Sequence, residues 1–283
     1  MNKNIYVVIG GGILMVFALY FFGNTKGNKA EQKSNPPSKM ETAMAMNPSA
    51  NIEDIDFDAY INTAQNKIIV DKKTLLTKLL EAAKAKSSAV TFKDLAEFWE
   101  REKELNISAY YYKKAAFLEN TENSITFAGN LFLAVMQKTE QPSLKKWQAL
   151  EAIECFTKIL AIQPTNTDAK IALATCYTEG TRETMKGVGL LRDITQVDSN
   201  NIPANILLGK LAIESGQLDK AKKRLNRVLS IKPNNTEAMY FLAEAYKNSG
   251  DKQKAISLFE QCKTIVNNKD FSKEVDNYIN SFK

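Results

Sequence analysis

The 283-residue chain contains no histidine. That removes the side chain titrating nearest neutral pH, which is the usual general base and the commonest metal ligand, and so excludes triad hydrolases and histidine-based metal centres. Cysteine is scarce: Cys155, Cys176 and Cys262 are widely spaced, odd in number and form no CxxC pair. Such a set suits small buried apolar side chains and not a disulfide framework. No glycine-rich phosphate loop is written anywhere, and the carboxylates show no paired catalytic spacing. The chain therefore reads as non-enzymatic, with no catalytic residue, metal ligand or cofactor to nominate. Strong charge is also missing from most of its length. Of the formal +6, half sits in residues 1–50, where Lys3, Lys26, Lys29, Lys33 and Lys39 face only Glu31 and Glu41. The near-neutral remainder argues against a protein that tracks nucleic-acid phosphates.

What the N-terminus does have is IYVVIGGGILMVFALYFF, an uncharged run over residues 5–22 that follows a short flank, residues 1–4. As a helix it would be about 27 Å long, enough to cross a bilayer, with Tyr6, Tyr20, Phe21 and Phe22 toward its two ends. A cleaved signal peptide is the competing reading, but no small-x-small site follows Phe22 at the right distance. The expectation is a retained single-pass transmembrane helix. Counting the flanking lysines would leave the bulk of the chain in the cytoplasm, whereas long C-terminal domains translocate largely regardless of such charges. The expected location is the bacterial inner membrane with the bulk of the chain periplasmic, the cytoplasmic orientation being the alternative. Residues 23–52 are polar and punctuated by Pro36, Pro37 and Pro48, and read as a flexible linker.

From residue 53 onward apolar residues recur at helical spacing without strand alternation, so the remainder is expected to be all-α. It also repeats itself. In a 34-residue unit starting at Ile202, Leu208, Gly209, Ala212, Gly216, Ala221, Leu225, Val228 and Pro233 occupy places 7, 8, 11, 15, 20, 24, 27 and 32. From Thr236 the same places hold Leu242, Ala243, Tyr246, Gly250, Ala255, Phe259, Cys262 and Asn267. Small residues at places 8 and 20 let two helices approach closely, large ones at 7, 11 and 24 fill the space between units, and Gly216 and Gly250 supply a left-handed turn. In these residues the chain resembles the tetratricopeptide repeat family.

The unit at 167–201 fits the same pattern through Leu173, Ala174, Tyr177, Gly187, Leu191 and Ile194 once a residue is inserted in its turn. The unit at 123–166 carries Gly129, Phe132, Ala152, Phe156 and Pro164 around a longer insertion. A diverged unit at 89–122 carries Leu95, Ala96, Trp99, Ser108, Tyr112 and Ala115. With 202–235 and 236–269 this makes five units, preceded by N-terminal helices over 53–88 and followed by a capping helix over 270–283. The resemblance implies a right-handed superhelical solenoid of helix hairpins.

It also implies that first helices line a groove for a peptide or helix segment of a partner protein, membrane or envelope proteins being the expected class. The groove positions would be Lys93, Glu97 and Glu100; Asn130 and its neighbours; Ile171 and Thr175; Ile206, Lys210 and Ile213; and Tyr240, Glu244 and Lys247. The basic constellation with which some family members clamp a chaperone's terminal carboxylate is not present as a set, and the apolar members suit an apolar or amphipathic segment. In the insertion QKTEQPSLKKWQALE, Pro142 starts a helix early and would carry Leu144 and Trp147 outward as a protruding contact. The basic run DKAKKRLNR (219–227) reads as a solvated face or as a patch for lipid headgroups or RNA. The expected function is a membrane-anchored scaffold binding segments of partner proteins in envelope biogenesis or complex assembly. The alternative is a cytoplasm-facing adaptor that recruits soluble partners or nucleic acid.

Overall fold

The computed structural model describes residues 53–282; the expected transmembrane helix and linker lie outside them. Among the described residues there are thirteen α-helices and no strand, and no helix is long and apolar enough to cross a membrane. The chain divides into two compact units, one built from residues up to 169 together with 179–183, the other from 170–178 and 184 onward.

The first unit holds α1 (Phe57–Lys67), α2 (Val70–Ala85), α3 (Ala89–Arg101), α4 (Leu105–Glu119), α5 (Glu122–Lys138) and α6 (Pro142–Ile162). Helix α3 pairs with α4 and α5 with α6, while α4 packs on α5 and α2 on α3. The starts of these helices are written locally. Ser88 and Thr91 form a reciprocal capping box at 3.3 and 3.2 Å, Thr121 accepts the Ser124 N–H at 3.2 Å, and Pro142 opens α6 where no amide donor is needed. Leu95, Phe98, Trp99, Ile107 and Tyr111 form one core with Ile61, Ala64, Ile68, Leu76 and Ala83 of the two preceding helices. Between α4 and α6 stands a buried cation: Lys113 donates to Glu151 at 2.6 Å and also to Glu154.

The second unit begins in α7 (Thr167–Thr175), which runs into a single π turn, Cys176–Gly180. It continues through α8 (Thr184–Val197), α9 (Ile202–Glu214), α10 (Leu218–Ile231), α11 (Thr236–Asn248), α12 (Lys252–Val266) and α13 (Lys269–Asn280). Helices α9 and α10 pair, as do α11 and α12; α9 also touches α8 and α11, α10 touches α11, and α13 packs on α12. Asparagines cap the first helices in succession: Asn201 accepts from Ala204 N–H at 3.0 Å, Asn235 from Ala238 at 2.8 Å and Asn268 from Phe271 at 3.0 Å, contacts each worth about 1 kcal/mol.

The small and large places meet as their chemistry requires. A Cβ on Gly209 would stand 2.9 Å from Leu225 Cγ, and one on Gly129 2.9 Å from Phe156 Cζ. Ala243 and Phe259 are both fully buried.

Place 15 reveals a rule that glycine alone did not. Gly216 and Gly250 have φ of 72° and 88°, but Lys103 at the same place of its unit has 63°, and Arg182, one residue late because of the insertion, has 61°. The hydrogen bonds match too: Glu104 N–H donates to Trp99 O at 2.9 Å, Gln217 to Ala212 O at 2.7 Å and Asp251 to Tyr246 O at 3.0 Å. Four of the five within-unit turns use a left-handed residue, whatever side chain is present, while the connection at 139–141 is made without one. A left-handed conformation costs a side-chain-bearing residue about 1–2 kcal/mol, while glycine adds about 0.5–1 kcal/mol of chain entropy to the unfolded state. Lys103→Gly is therefore expected to stabilise the chain by about 0.5–1 kcal/mol, and Gly216→Ala, in open space, to destabilise it by a similar amount. Urea unfolding midpoints check both signs.

Candidate partner-binding surface

In the first unit the candidate positions are polar and tied to neighbours. Lys93 pairs with Glu119 at 2.5 Å, Glu97 with Arg101 at 3.1 Å on the surface, and Glu100 accepts the Tyr112 hydroxyl at 3.2 Å. Asn130 is exposed on α5.

The second unit separates its candidates into two kinds. Ile171, Thr175, Lys210 and Ile213 are half-buried along α7 and α9, although the Thr175 hydroxyl already donates to the Ile171 carbonyl at 3.0 Å. Ile206 and Tyr240, expected as the apolar floor for a ligand, are each only 4% exposed. Tyr240 packs edge-on to Phe259 at 5.2 Å and to Phe241 at 5.9 Å, and burial, followed by the Glu244 charge, pushes its hydroxyl well above the usual tyrosine range. These two residues hold helices together and are not open to a partner.

Glu244 and Lys247 are also engaged. They pair at 2.8 Å, with side-chain exposures of 16% and 21%. The Lys247 ammonium bonds to the Tyr278 hydroxyl and lies 4.4 Å from the centre of that ring and 5.7 Å from that of Phe282. Phe259 and Tyr278 stand edge-to-face at 5.6 Å. Helix α13 therefore covers this end of the row through Tyr278, with Phe282 just beyond its last turn. Sequence reasoning missed both, though their four-residue spacing on an amphipathic segment was the available signal.

The expected protrusion is corrected as well. Leu144 is buried, 8% exposed, and Trp147 stacks on Phe57 of α1, ring centres 3.7 Å apart, with Phe132 edge-on at 5.5 Å on its other contact. Lys146 pairs with Asp54 at 2.8 Å. Beside them the fully buried Gln148 donates to Asn106 at 2.7 Å and Thr139 at 2.8 Å, and Asn106 donates to Tyr60 at 3.2 Å. The extra turns of α6 are the seat of α1. An N-terminal helix packed there could not be inferred from a repeat that has no place for it.

All three cysteines are free and buried. Burial pushes the Cys155 and Cys262 thiols up to about 12, so at neutral pH neither offers a thiolate.

Family models described as tetratricopeptide repeat match residues 188–234 and 236–266. These two stretches are tetratricopeptide repeats. Among curated relatives, the chain is 35% identical over 88 residues to the protein ycf37 of Pyropia yezoensis, covering 30% of this chain and 49% of that one. It is 29% identical over 113 residues to anaphase-promoting complex subunit 3 of Dictyostelium discoideum, covering 40% of this chain and 11% of that one. The chain thus spans about half the length of the first relative and about a tenth of the second. A thermophilic tetratricopeptide repeat protein of Thermus thermophilus has a similar fold, with a TM-score of 0.50, 14% identity, and coverage of 67% of this chain and 97% of that chain.

Proposed function

We propose that the protein is a non-enzymatic scaffold that binds segments of other proteins, held at a bacterial inner membrane by residues 5–22 and acting in envelope biogenesis or complex assembly. The observation that carries the binding reading is the half-buried row on α7 and α9, within and beside tandem tetratricopeptide repeats. Ile171, Thr175 and Ile213 present apolar surface bounded by polar side chains, the mixture that suits an apolar or amphipathic segment. Support for the anchor is the uncharged run at 5–22, and the linker at 23–52 would give the repeats a reach of about 30 Å from the bilayer.

The paired variant Thr175→Lys with Ile213→Glu is expected to reduce capture of crosslinked partners from membranes at least about tenfold, the loss of roughly 1.4 kcal/mol or more. Its circular dichroism and melting temperature should stay close to the parent, because both positions are half-exposed. Undiminished capture by a folded variant rules out this row. Alkaline phosphatase fused after Lys283 tests the placement, since an inactive fusion would assign the bulk of the chain to the cytoplasm.

A further inference from the structure

The connection between α1 and α2 is two apolar residues, Ile68 and Ile69. Ile68 turns into the core with Leu76, but Ile69 is 58% exposed and Val70, the first residue of α2, is 79% exposed. Ile69 is also the N-cap of α2 and makes no side-chain hydrogen bond there, whereas Asp56, Ser88 and Thr121 each accept a backbone N–H at other helix starts of the same unit. A small polar side chain at that place would satisfy a free donor; isoleucine satisfies none. The ion pair between Lys72 and Glu102, at 2.6 Å, sets the α3–α4 turn beside this tip. There Leu105, the first residue of α4, is 46% exposed.

Lysines surround the apolar tip: Lys67, Lys72, Lys73 and Lys103 are all exposed. Of the carboxylates in these two turns, Glu102 is drawn to Lys72 and Glu104 accepts the Tyr60 hydroxyl at 3.5 Å, both half-buried. That leaves Asp71 exposed against four ammonium groups. Apolar side chains at a tip with cations on flexible stems around them match an anionic bilayer surface. The first reach the acyl boundary while the second stay with the headgroup phosphates. Position in the chain favours lipid over a protein partner, because α1 opens at Phe57, directly after the linker at 23–52 that leads back to the uncharged run at 5–22.

We infer that the tip formed by Ile69, Val70 and Leu105, with Lys67, Lys72, Lys73 and Lys103 around it, docks the first unit on an anionic lipid surface. Proximity to a bilayer rests on the anchor proposed above; the contact itself turns a tethered unit into an oriented one.

The test uses phosphatidylcholine vesicles carrying a nitroxide on their acyl chains, with or without phosphatidylglycerol. The full chain carries a nitrobenzoxadiazole probe on Asn66→Cys, an exposed site at the tip; the native cysteines are buried and stay unlabelled. Quenching of the probe should be at least about threefold stronger on the anionic vesicles. Ile69→Ser with Val70→Ser should return it to the neutral-vesicle level. Ile69→Ser alone supplies the missing cap and should leave the melting temperature in detergent unchanged or raised by about 2–4 °C, so lost docking is not lost folding. Equal quenching on the two vesicle types, or quenching unaffected by the serine pair, overturns the contact. A probe response that follows protein concentration without vesicles assigns the tip to a second copy and also overturns it. Flotation reports the anchor separately. A chain that floats with neutral vesicles keeps the anchor whatever the probe does, and one that floats only with anionic vesicles, its probe quenched, keeps the tip and loses the anchor. No flotation with either overturns both.

Discussion

Trp147→Ala is expected to lower the unfolding free energy of the first unit by about 3–4 kcal/mol, the lower part of the range for emptying a large aromatic site. The indole is held on one side by the stacked Phe57 ring and on another by the edge of Phe132, so its loss empties a site shared by α1, α5 and α6. Two effects combine. The rings lose dispersion and hydrophobic contact, and α1 loses the partner that anchors Phe57, whose other ring contacts are Tyr60 and Tyr110. Trp147→Phe keeps one ring and should cost about 1–2 kcal/mol. Urea unfolding gives the totals, and hydrogen exchange over residues 57–67 separates the two effects. If the alanine chain unfolds at the parental midpoint with α1 still protected, Trp147 is not the seat of that helix.

The second large effect is at Lys113. Lys113→Ala is expected to cost about 2–3 kcal/mol, chiefly because the mostly buried Glu151 loses its counter-charge; Glu154 is 58% exposed and adds little. The pH dependence has a definite sign. Burial alone lowers the Lys113 pKa, but hydrogen bonds and charge from Glu151 and then Glu154 outweigh it, and the net shift is upward from 10.5. The folded state therefore holds this proton more tightly than the unfolded chain. The contribution is fully present below pH 10.5 and is lost as pH rises through the elevated folded value. The parent should lose stability above about pH 10.5 more steeply than Lys113→Ala. Removing all three charges together, with Lys113→Met, Glu151→Gln and Glu154→Gln, should recover most of the alanine loss. Equal alkaline slopes, or no recovery, would show that the ion pairs contribute nothing.

The helical-repeat character was legible because it is local and periodic. Small residues at place 8, such as Gly209, and large ones at place 24, such as Leu225, are complementary surfaces repeated along the chain. What stayed hidden depends on contacts between elements far apart in sequence. Tyr240 and Ile206 sit at positions that the resemblance assigns to a groove, yet their burial is decided by Phe259, Phe241 and the neighbouring helices. Trp147 looked exposed because the period offers it no neighbour, while Phe57 lies ninety residues upstream and outside the repeats. The left-handed place was only half visible: glycine announces it at 216 and 250, but Lys103 and Arg182 occupy it without any compositional sign.

The π turn at Cys176–Gly180 has a consequence for how this chain can change length. An added residue in an ordinary α-helix turns the rest of that helix by about 100°. Here the widened turn and the non-helical residues 181–183 take up the surplus before the next helix begins at Thr184, and Leu191 and Ile194 keep their shared core with Ala204 and Leu208. The turn is pinned at its end, since a Cβ on Gly180 would lie 2.1 Å from that of Ala149. Length and phase are thereby uncoupled at this hairpin: the chain tolerates a genetic insertion as a local swelling, and a ruler of fixed period laid along its sequence slips by one at residue 181.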